Sequence, residues 1–227
     1  NQTAIGTVSA SDEEGDSLTY TVSNNSSGAP FQINATTGDL SFVNAPDYES
    51  VTSVSGQITV SDGELSDTQD ITINISNLND NSPIISSGSG FSVNENVVSI
   101  GQVTATDADG DSLIYSISGS EIEISSIGTL SFVDTNGADF ETQSSYIAVV
   151  SVTDGVFTSE QSIIVTVNDT NDNTPVLATT SLTPNENLVT IGTVSATDGD
   201  ANSTLSFSIS GDDTLKDGSQ FLEIDSS

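Results

Sequence analysis

The chain has 227 residues, with 33 acidic side chains against one basic side chain, Lys216, for a formal net charge of −32, and it contains no His, Cys, Met or Trp. Phosphate backbones are bound through Lys and Arg that release counterions, and anionic bilayers attract polybasic segments, so this balance excludes nucleic acid and an anionic membrane surface as partners and leaves cations as the strong attraction. There is no Cys for a disulfide framework and no His or Cys for a nucleophile–base pair, and no apolar run approaches the ~20 residues of a membrane-spanning helix.

Taken in chain order, the first phrases that read as structure are "IGTVSASD" (5–12) and "LTYTVS" (18–23), followed by "QITVSDG" (57–63) and "DITINIS" (70–76). The same phrases return as "IGQVTATD" (100–107), "LIYSIS" (113–118), "AVVSVTDG" (148–155) and "SIIVTVN" (162–168), and the first two return once more as "IGTVSATD" (191–198) and "LSFSIS" (205–210). In each, small or β-branched apolar residues alternate with Ser and Thr at period two, which predicts strands buried on one face. No stretch shows a helical period, and the alternation argues against the disorder that high acidity with few aromatics would otherwise suggest. The predicted fold class is all-β.

The recurrence is an internal repeat. Asn1, Asn96 and Asn187 open equivalent strings, spaced 95 and 91 residues apart. Each unit holds six or seven short strands between Gly, Asn, Asp and Ser turns, which predicts a seven-stranded Greek-key β-sandwich of immunoglobulin-like topology. We divide the chain into 1–82, 83–174 and 175–227. The middle unit is expected to be whole, the first to lack its opening strand, and the third to hold only its N-terminal part. Tyr20, Tyr115 and Phe207 share one slot, whose expected role is core packing. The uneven ends suggest a window on a longer tandem array.

The acids fall in phrases that recur at fixed places. "NLNDNSP" (77–83) and "NDTNDNTP" (168–175) stand where one unit ends and the next begins. Around them recur "NEN" (94–96, 185–187), "DYE" (47–49) and "DFE" (139–141), then "DEEGD" (12–16), "DADGD" (107–111) and "DGDAN" (198–202), with "SDG" (61–63) and "TDG" (153–155) ending another strand. Any one Asn-Asp or Asp-Gly string is a common turn former. A salt-adapted surface would instead scatter acids over exposed strand faces, which here carry Ser and Thr. Glu121, Glu123, Asp212, Asp213, Asp217 and Glu223 lie outside the phrases and read as solvated charge. In stacked sandwiches these phrases meet at the poles, where crowded carboxylates call for a cation such as calcium, which takes six to eight oxygen ligands.

In this order and spacing the NEN, DxE, DxNDNxP, DxD and xDG phrases resemble the cadherin repeat over the whole chain. That resemblance implies about three Ca2+ ions per complete linker. At the second junction it implies ligands Glu95, Asp139, Glu141, Asp169, Asn171, Asp172, Asn173, Asp198 and Asp200. At the first it implies Asp47, Glu49, Asn77, Asn79, Asp80, Asn81, Asp107, Asp109 and Asp154. Asp12, Glu14, Asp62 and Glu186 belong to junctions only half contained in the chain. Asn77 stands where the linker's first Asp is expected and Glu14 replaces the second Asp of DxD, so the first junction is expected to bind calcium more weakly. The Gly-Asp tail of "DADGD" and "DEEGD" suggests a prokaryotic or marine source. The resemblance further implies a calcium-dependent extracellular adhesion module, with neighbouring repeats, copies of itself or another cell surface as partners; the alternative is a passive stalk or filament. Carboxylates held ionised by calcium at domain poles are not placed for acid–base catalysis, so no enzyme is expected. Asn34, Asn74 and Asn168 begin N-x-S/T sequons.

Overall fold

The computed structural model of the chain describes residues 2–23, 28, 30–179, 181–187, 190–201, 203–209 and 224. Among them every regular element is a strand. The chain divides into two compact units. The first comprises Asn1–Ile84 together with two later loops, Thr106–Leu113 and Thr153–Thr158; the second comprises Ile85–Ala105, Ile114–Val152 and Ser159–Ser227. The two loops that join the first unit are the ones carrying "DADGD" and "TDG".

In the first unit the strands are β1 (Ala4–Thr7), β2 (Thr19–Ser23), β3 (Phe31–Ile33), β4 (Asp39–Phe42), β5 (Ser53–Ser61) and β6 (Ser66–Asn74). They form two three-stranded sheets, ordered β1-β4-β3 and β2-β5-β6. Period-two alternation does what it predicts. Phe31, Leu40, Phe42, Val54 and Ile58 turn inward as one buried cluster, with Ile5, Val22, Ile71 and Ile73 packed against it. The opposite face of β5 and β6 is polar, with Ser55 paired to Thr72 and Gln57 to Asp70.

In the second unit β7 (Ile84–Ile85), β8 (Gly90–Asn94), β9 (Ser99–Gln102), β10 (Ala105–Thr106), β11 (Ile114–Ile117), β12 (Ile122–Ile124), β13 (Thr129–Phe132), β14 (Ser145–Thr153) and β15 (Thr158–Asn168) follow in order, β7, β10, β14 and β15 straddling its boundary. One sheet is ordered β11-β14-β15-β8 and the other β12-β13-β9. Strand β8 runs parallel to β15, from Ile164↔Gly90 to Asn168↔Asn94. Between the sheets Val103, Leu130, Val150, Val152, Ile163 and Val165 are fully buried. This is the expected seven-stranded sandwich.

A shared glycine shows how closely the repeats copy one another. Gly38 and Gly128 lie at φ +72° and +84°, where a Cβ would stand 2.3 Å and 2.1 Å from the carbonyl oxygens of Val8 and Val103. Only glycine fits both the left-handed backbone and that approach. Tyr20 packs beside Gly38, buried, its hydroxyl accepting the Ala10 N–H at 3.2 Å, and Tyr115 packs beside Gly128.

Beyond residue 174 the described strands are β16 (Val176–Leu177) and β17 (Ala196–Thr197), which pair antiparallel. The expected strands over 191–195 and 205–209 are not formed there. In the second unit the matching string gains its ladder from Thr129–Ser131, and the corresponding residues of the third repeat lie outside the described ones. Asp212, Asp213, Asp217, Glu223 and Lys216 lie outside them too.

Candidate metal centres

Two sets of carboxylates converge, one in each unit. In the first unit the linker 77–81 wraps around Asp109, which is only 9% exposed. The backbone N–H groups of Asp80 and Asn81 donate to Asp109 Oδ2 at 3.1 and 2.8 Å, and Asn81 Nδ2 donates to Oδ1 at 2.9 Å. Asn77 Nδ2 anchors the linker on the Asp109 carbonyl at 2.7 Å. Asp107 Oδ1 accepts the N–H of Asp109 at 2.9 Å, and Asp154 Oδ1 accepts the N–H groups of Val156 and Phe157, each at 2.7 Å. Asp47 accepts the Ser50 hydroxyl at 2.7 Å. Glu49, Asp80 and Asp109 each bring an oxygen within 4.8 Å of the others, as do Asp107, Asp109 and Asp111.

The second unit repeats the design. Glu95, 3% exposed, follows β8 and is gripped at both oxygens: Oε1 by the N–H of Thr170 at 2.7 Å and Oε2 by the N–H of Phe140 at 2.9 Å. Asp200, 6% exposed, accepts the N–H and the side-chain amide of Asn173 at 3.2 and 3.0 Å. Asp139 accepts the Thr142 hydroxyl at 2.8 Å, and Asp198 accepts the Asp200 N–H at 3.0 Å. Asn96, at φ +60°, turns its side-chain amide onto Asp172. Two groups form here, Glu95–Glu141–Asp172 and Glu141–Asp169–Asp200, each with oxygens within 4.8 Å of one another.

These contacts separate the acids into two electrostatic kinds. The Asn81 and Asn173 amides hold Asp109 and Asp200 below the usual carboxylate range, the Phe140 and Thr170 N–H groups do so for Glu95, and the Thr142 hydroxyl does so for Asp139. Those four are fixed as anions. Glu49 is held above the usual range by its contact with the Asp47 carboxylate, and Glu141 by burial. For Glu49 the raised value marks a place where negative charge is crowded.

The fit to a hard cation rests on oxygens left without donors. Among the described residues, the buried side-chain oxygens that make no hydrogen bond include Asn79 Oδ1, Asp107 Oδ2 and Asp154 Oδ2 in the first unit and Asp169 Oδ1 in the second. A buried polar atom without a partner is costly and calls for one. All four are carboxylate or amide oxygens beside the convergent groups, which is the donor set that calcium takes.

Of the residues expected as ligands, Glu49, Asp80, Asp107 and Asp109 meet in the first unit, and Glu95, Glu141, Asp169, Asp172 and Asp200 in the second. Asp47, Asn79, Asn81, Asp139, Asp154 and Asn173 hydrogen-bond or neighbour these groups. Asn77 directs its amide N–H to the Asp109 carbonyl, and Asn171 is exposed. Asp12, Glu14, Asp62 and Glu186 join none of the convergent groups, and Asp12 and Asp62 instead cap their own loops. Sequence reasoning missed Asp111, the third acid of "DADGD", and the clamping hydroxyls of Ser50 and Thr142. The D-x-E-S/T spacing, in which a hydroxyl three residues on can reach back to an Asp, was the available signal for the latter.

No family model matches the chain. It is 32% identical to human protocadherin-15 over 224 residues, covering 89% of this chain and 11% of that protein. It is 39% identical to the Drosophila melanogaster Fat-like cadherin-related tumor suppressor homolog over 84 residues, 34% of this chain and 2% of that protein. Among solved structures, mouse cadherin-23 EC22-24 matches at a TM-score of 0.66 and 26% identity, covering 86% of this chain and 69% of that one. Human CDH23 EC21-23 shares the fold at a TM-score of 0.70 and 19% identity, over 88% and 80% of the two chains. The chain spans about a tenth of the length of the protocadherin-15 relatives. Nothing among these animal proteins supports the expected prokaryotic source.

Proposed function

This chain is made of cadherin-like repeats, and on that premise we propose that it is a segment of an extracellular adhesion protein in which calcium at the two acidic clusters fixes successive repeats, bounded at 1–82, 83–174 and 175–227. Relatives of this kind are extracellular adhesion-type modules and not enzymes. Calcium, when bound, supplies positive charge shared among several oxygens at once. The rest is the work of the chain's own residues. Asp109 and Asp200 hold the linkers by their backbone N–H groups, and Glu95 ties the end of β8 to Thr170 and to the turn at Phe140. Glu49 and Glu141 are the acids of these clusters held above the usual carboxylate range.

The observation that carries this reading is the set of buried, donor-less oxygens of Asn79, Asp107, Asp154 and Asp169 beside the convergent carboxylates. Calorimetric titration of the chelator-treated protein with calcium tests it. Saturable binding that Asp109→Asn and Asp200→Asn each reduce supports it, and the absence of heat or of saturation ends it. The sequence alternative, a passive stalk, differs in one readout: beads coated with the repeats cluster in calcium if the segment is adhesive and stay dispersed if it only spaces.

A further inference from the structure

Strand β8 runs parallel to β15 as far as Asn168↔Asn94, and the ladder closes with a bond from Glu95 N–H to the Asn168 carbonyl at 3.1 Å. Beyond it the side chains of the "NEN" phrase take over. Asn94 Oδ1 accepts the side-chain amide of Asn168 at 3.1 Å. Glu95 Oε1 accepts the N–H and the hydroxyl of Thr170 at 2.7 and 3.1 Å, and the Asn96 amide donates to Asp172 Oδ2. Three consecutive residues thus meet every second residue of the linker, 168, 170 and 172, and all six belong to the second unit. The pairing is carried on by side chains along 169–175, which hold no strand of their own.

Asn96 is the rung that strains the backbone. It lies at φ +60°, and among the described residues it and Asn187, in the same place of the next "NEN" at φ +65°, are the two non-glycine residues in the left-handed region. That region is unfavourable for a residue with a Cβ, though Asn tolerates it better than most, and a residue held there points to a function. Glycine would take the backbone without strain. The bond from Asn96 N–H to the Ala138 carbonyl, 2.8 Å, needs no side chain either. What glycine lacks is the amide. That amide meets an exposed carboxylate crowded by Glu95 and Glu141, the oxygens of all three lying within 4.8 Å of one another. Like charges at that distance repel, and an unrestrained Asp172 would turn out to water. The Asn96 amide on Oδ2 and the Asn173 amide on Oδ1, at 3.0 Å, hold it in place.

We propose that Asn96 is a positioning residue for the second acidic cluster: it holds the Asp172 carboxylate towards Glu95 and Glu141, so that a cation meets a ready-made set of oxygens. The role rests on the calcium reading above for its purpose, while the bond itself involves no metal. Groups that orient a ligand from behind typically change metal affinity by about 10–100-fold when they are removed.

Two measurements on the 227-residue protein test it. In chelator, the NMR resonances of the Asn96 side-chain amide are expected to shift in the Asp172→Ala variant, which removes their charged acceptor. In calorimetric titration with calcium, Asn96→Gly keeps the left-handed backbone and loses the amide. It is expected to weaken the binding that Asp200→Asn reduces by about 10–100-fold. In the Asp172→Ala background the same substitution is expected to change nothing further, since both variants then remove one interaction. A merely structural Asn96 would lower the affinity equally in both backgrounds. Unmoved amide resonances, an unchanged affinity in Asn96→Gly, or equal losses in the two backgrounds overturn the proposal while wild-type calcium binding stands. A wild-type protein without saturable binding overturns the calcium reading and this role with it, so the two failures are told apart.

Discussion

Glu95 and Asn77 show what single residues decide at the junctions. Glu95 satisfies two backbone N–H groups from distant loops, so Glu95→Ala leaves both without an acceptor in a buried place. Such an orphaned group costs about 1–3 kcal/mol, and the thermal midpoint of the second repeat should fall even in chelator, where no metal ligand is at stake. Asn77 spends its amide on the Asp109 carbonyl, whereas Asp169 in the other linker keeps one buried oxygen free. Asn77→Asp adds a charge and a ligand oxygen while giving up that one donor. It should tighten calcium at the first cluster by on the order of tenfold, since ligand charge count tunes affinity in oxygen sites; an unchanged or weaker calorimetric affinity would refute the explanation.

The same clusters set opposing dependences on pH. Asp109, Asp139, Asp200 and Glu95 titrate below their usual range. Their contribution to folding is therefore present above the unfolded values and is lost as pH falls through the lowered ones. Glu49 and Glu141 titrate above theirs, so their contribution is complete below the unfolded value and is lost as pH rises through the raised one. Without calcium, lowering the pH from neutrality towards the unfolded glutamate value of about 4.3 meets the second window before the first, and the protein should become slightly more stable. With calcium the order reverses, because protons compete for the same two glutamates. Thermal melts in chelator and in calcium read both directions, and Glu49→Gln with Glu141→Gln should abolish the acid stabilisation.

At the scale of elements, the strands and their faces were legible because a period of two needs only a few residues to declare itself. "QITVSDG" and "AVVSVTDG" lie in β5 and β14 with the expected residues inward. The convergence of the acids was legible as well, since the phrases recur in register. What could not be read was which acid is buried and which is crowded. Nothing in the spelling of "DADGD" tells that Asp109 is wrapped by the linker's N–H groups while Asp107 keeps a free oxygen, because the donors come from residues 80 and 81, far along the chain. A strand's ladder likewise depends on its partner as much as on its own pattern, as that of β9 depends on β13. Gly128 makes the same point in a testable way. At φ +84° and with Val103's carbonyl 2.1 Å from any added Cβ, Gly128→Ala must strain the turn or displace β9. We expect a loss of at least about 1–3 kcal/mol, the range for a residue held in a sparsely populated conformation, measured by denaturant unfolding. A near-neutral result would mean that the turn relaxes freely.

At the scale of the whole molecule the question is why a chain would carry 33 acids and one base. Net charge of that size keeps a protein soluble but works against compactness by self-repulsion. Here much of the repulsion is concentrated where the oxygens of Glu49, Asp80 and Asp109, and of Glu95, Glu141 and Asp172, lie within 4.8 Å of one another. On the proposed calcium reading, charge gathered in that way would make each junction conditional on a cation, because ligand binding to the folded, assembled state alone stabilises it in proportion to the logarithm of ligand concentration. At about 100 times the dissociation constant that amounts to roughly 2.7 kcal/mol per site, enough to hold an assembled junction together at high calcium and to release it at low. An array of whole repeats should therefore stiffen as calcium is added and flex at each NDN linker when it is withdrawn, with each sandwich still folded. Asp172→Ala should make the second linker flexible even in calcium. Small-angle scattering of such an array, before and after a chelator, measures this as a change in maximum dimension and in chain-like flexibility; identical curves would return the acids to the role of solvated turns, whose repulsion the folded sandwiches simply outlast.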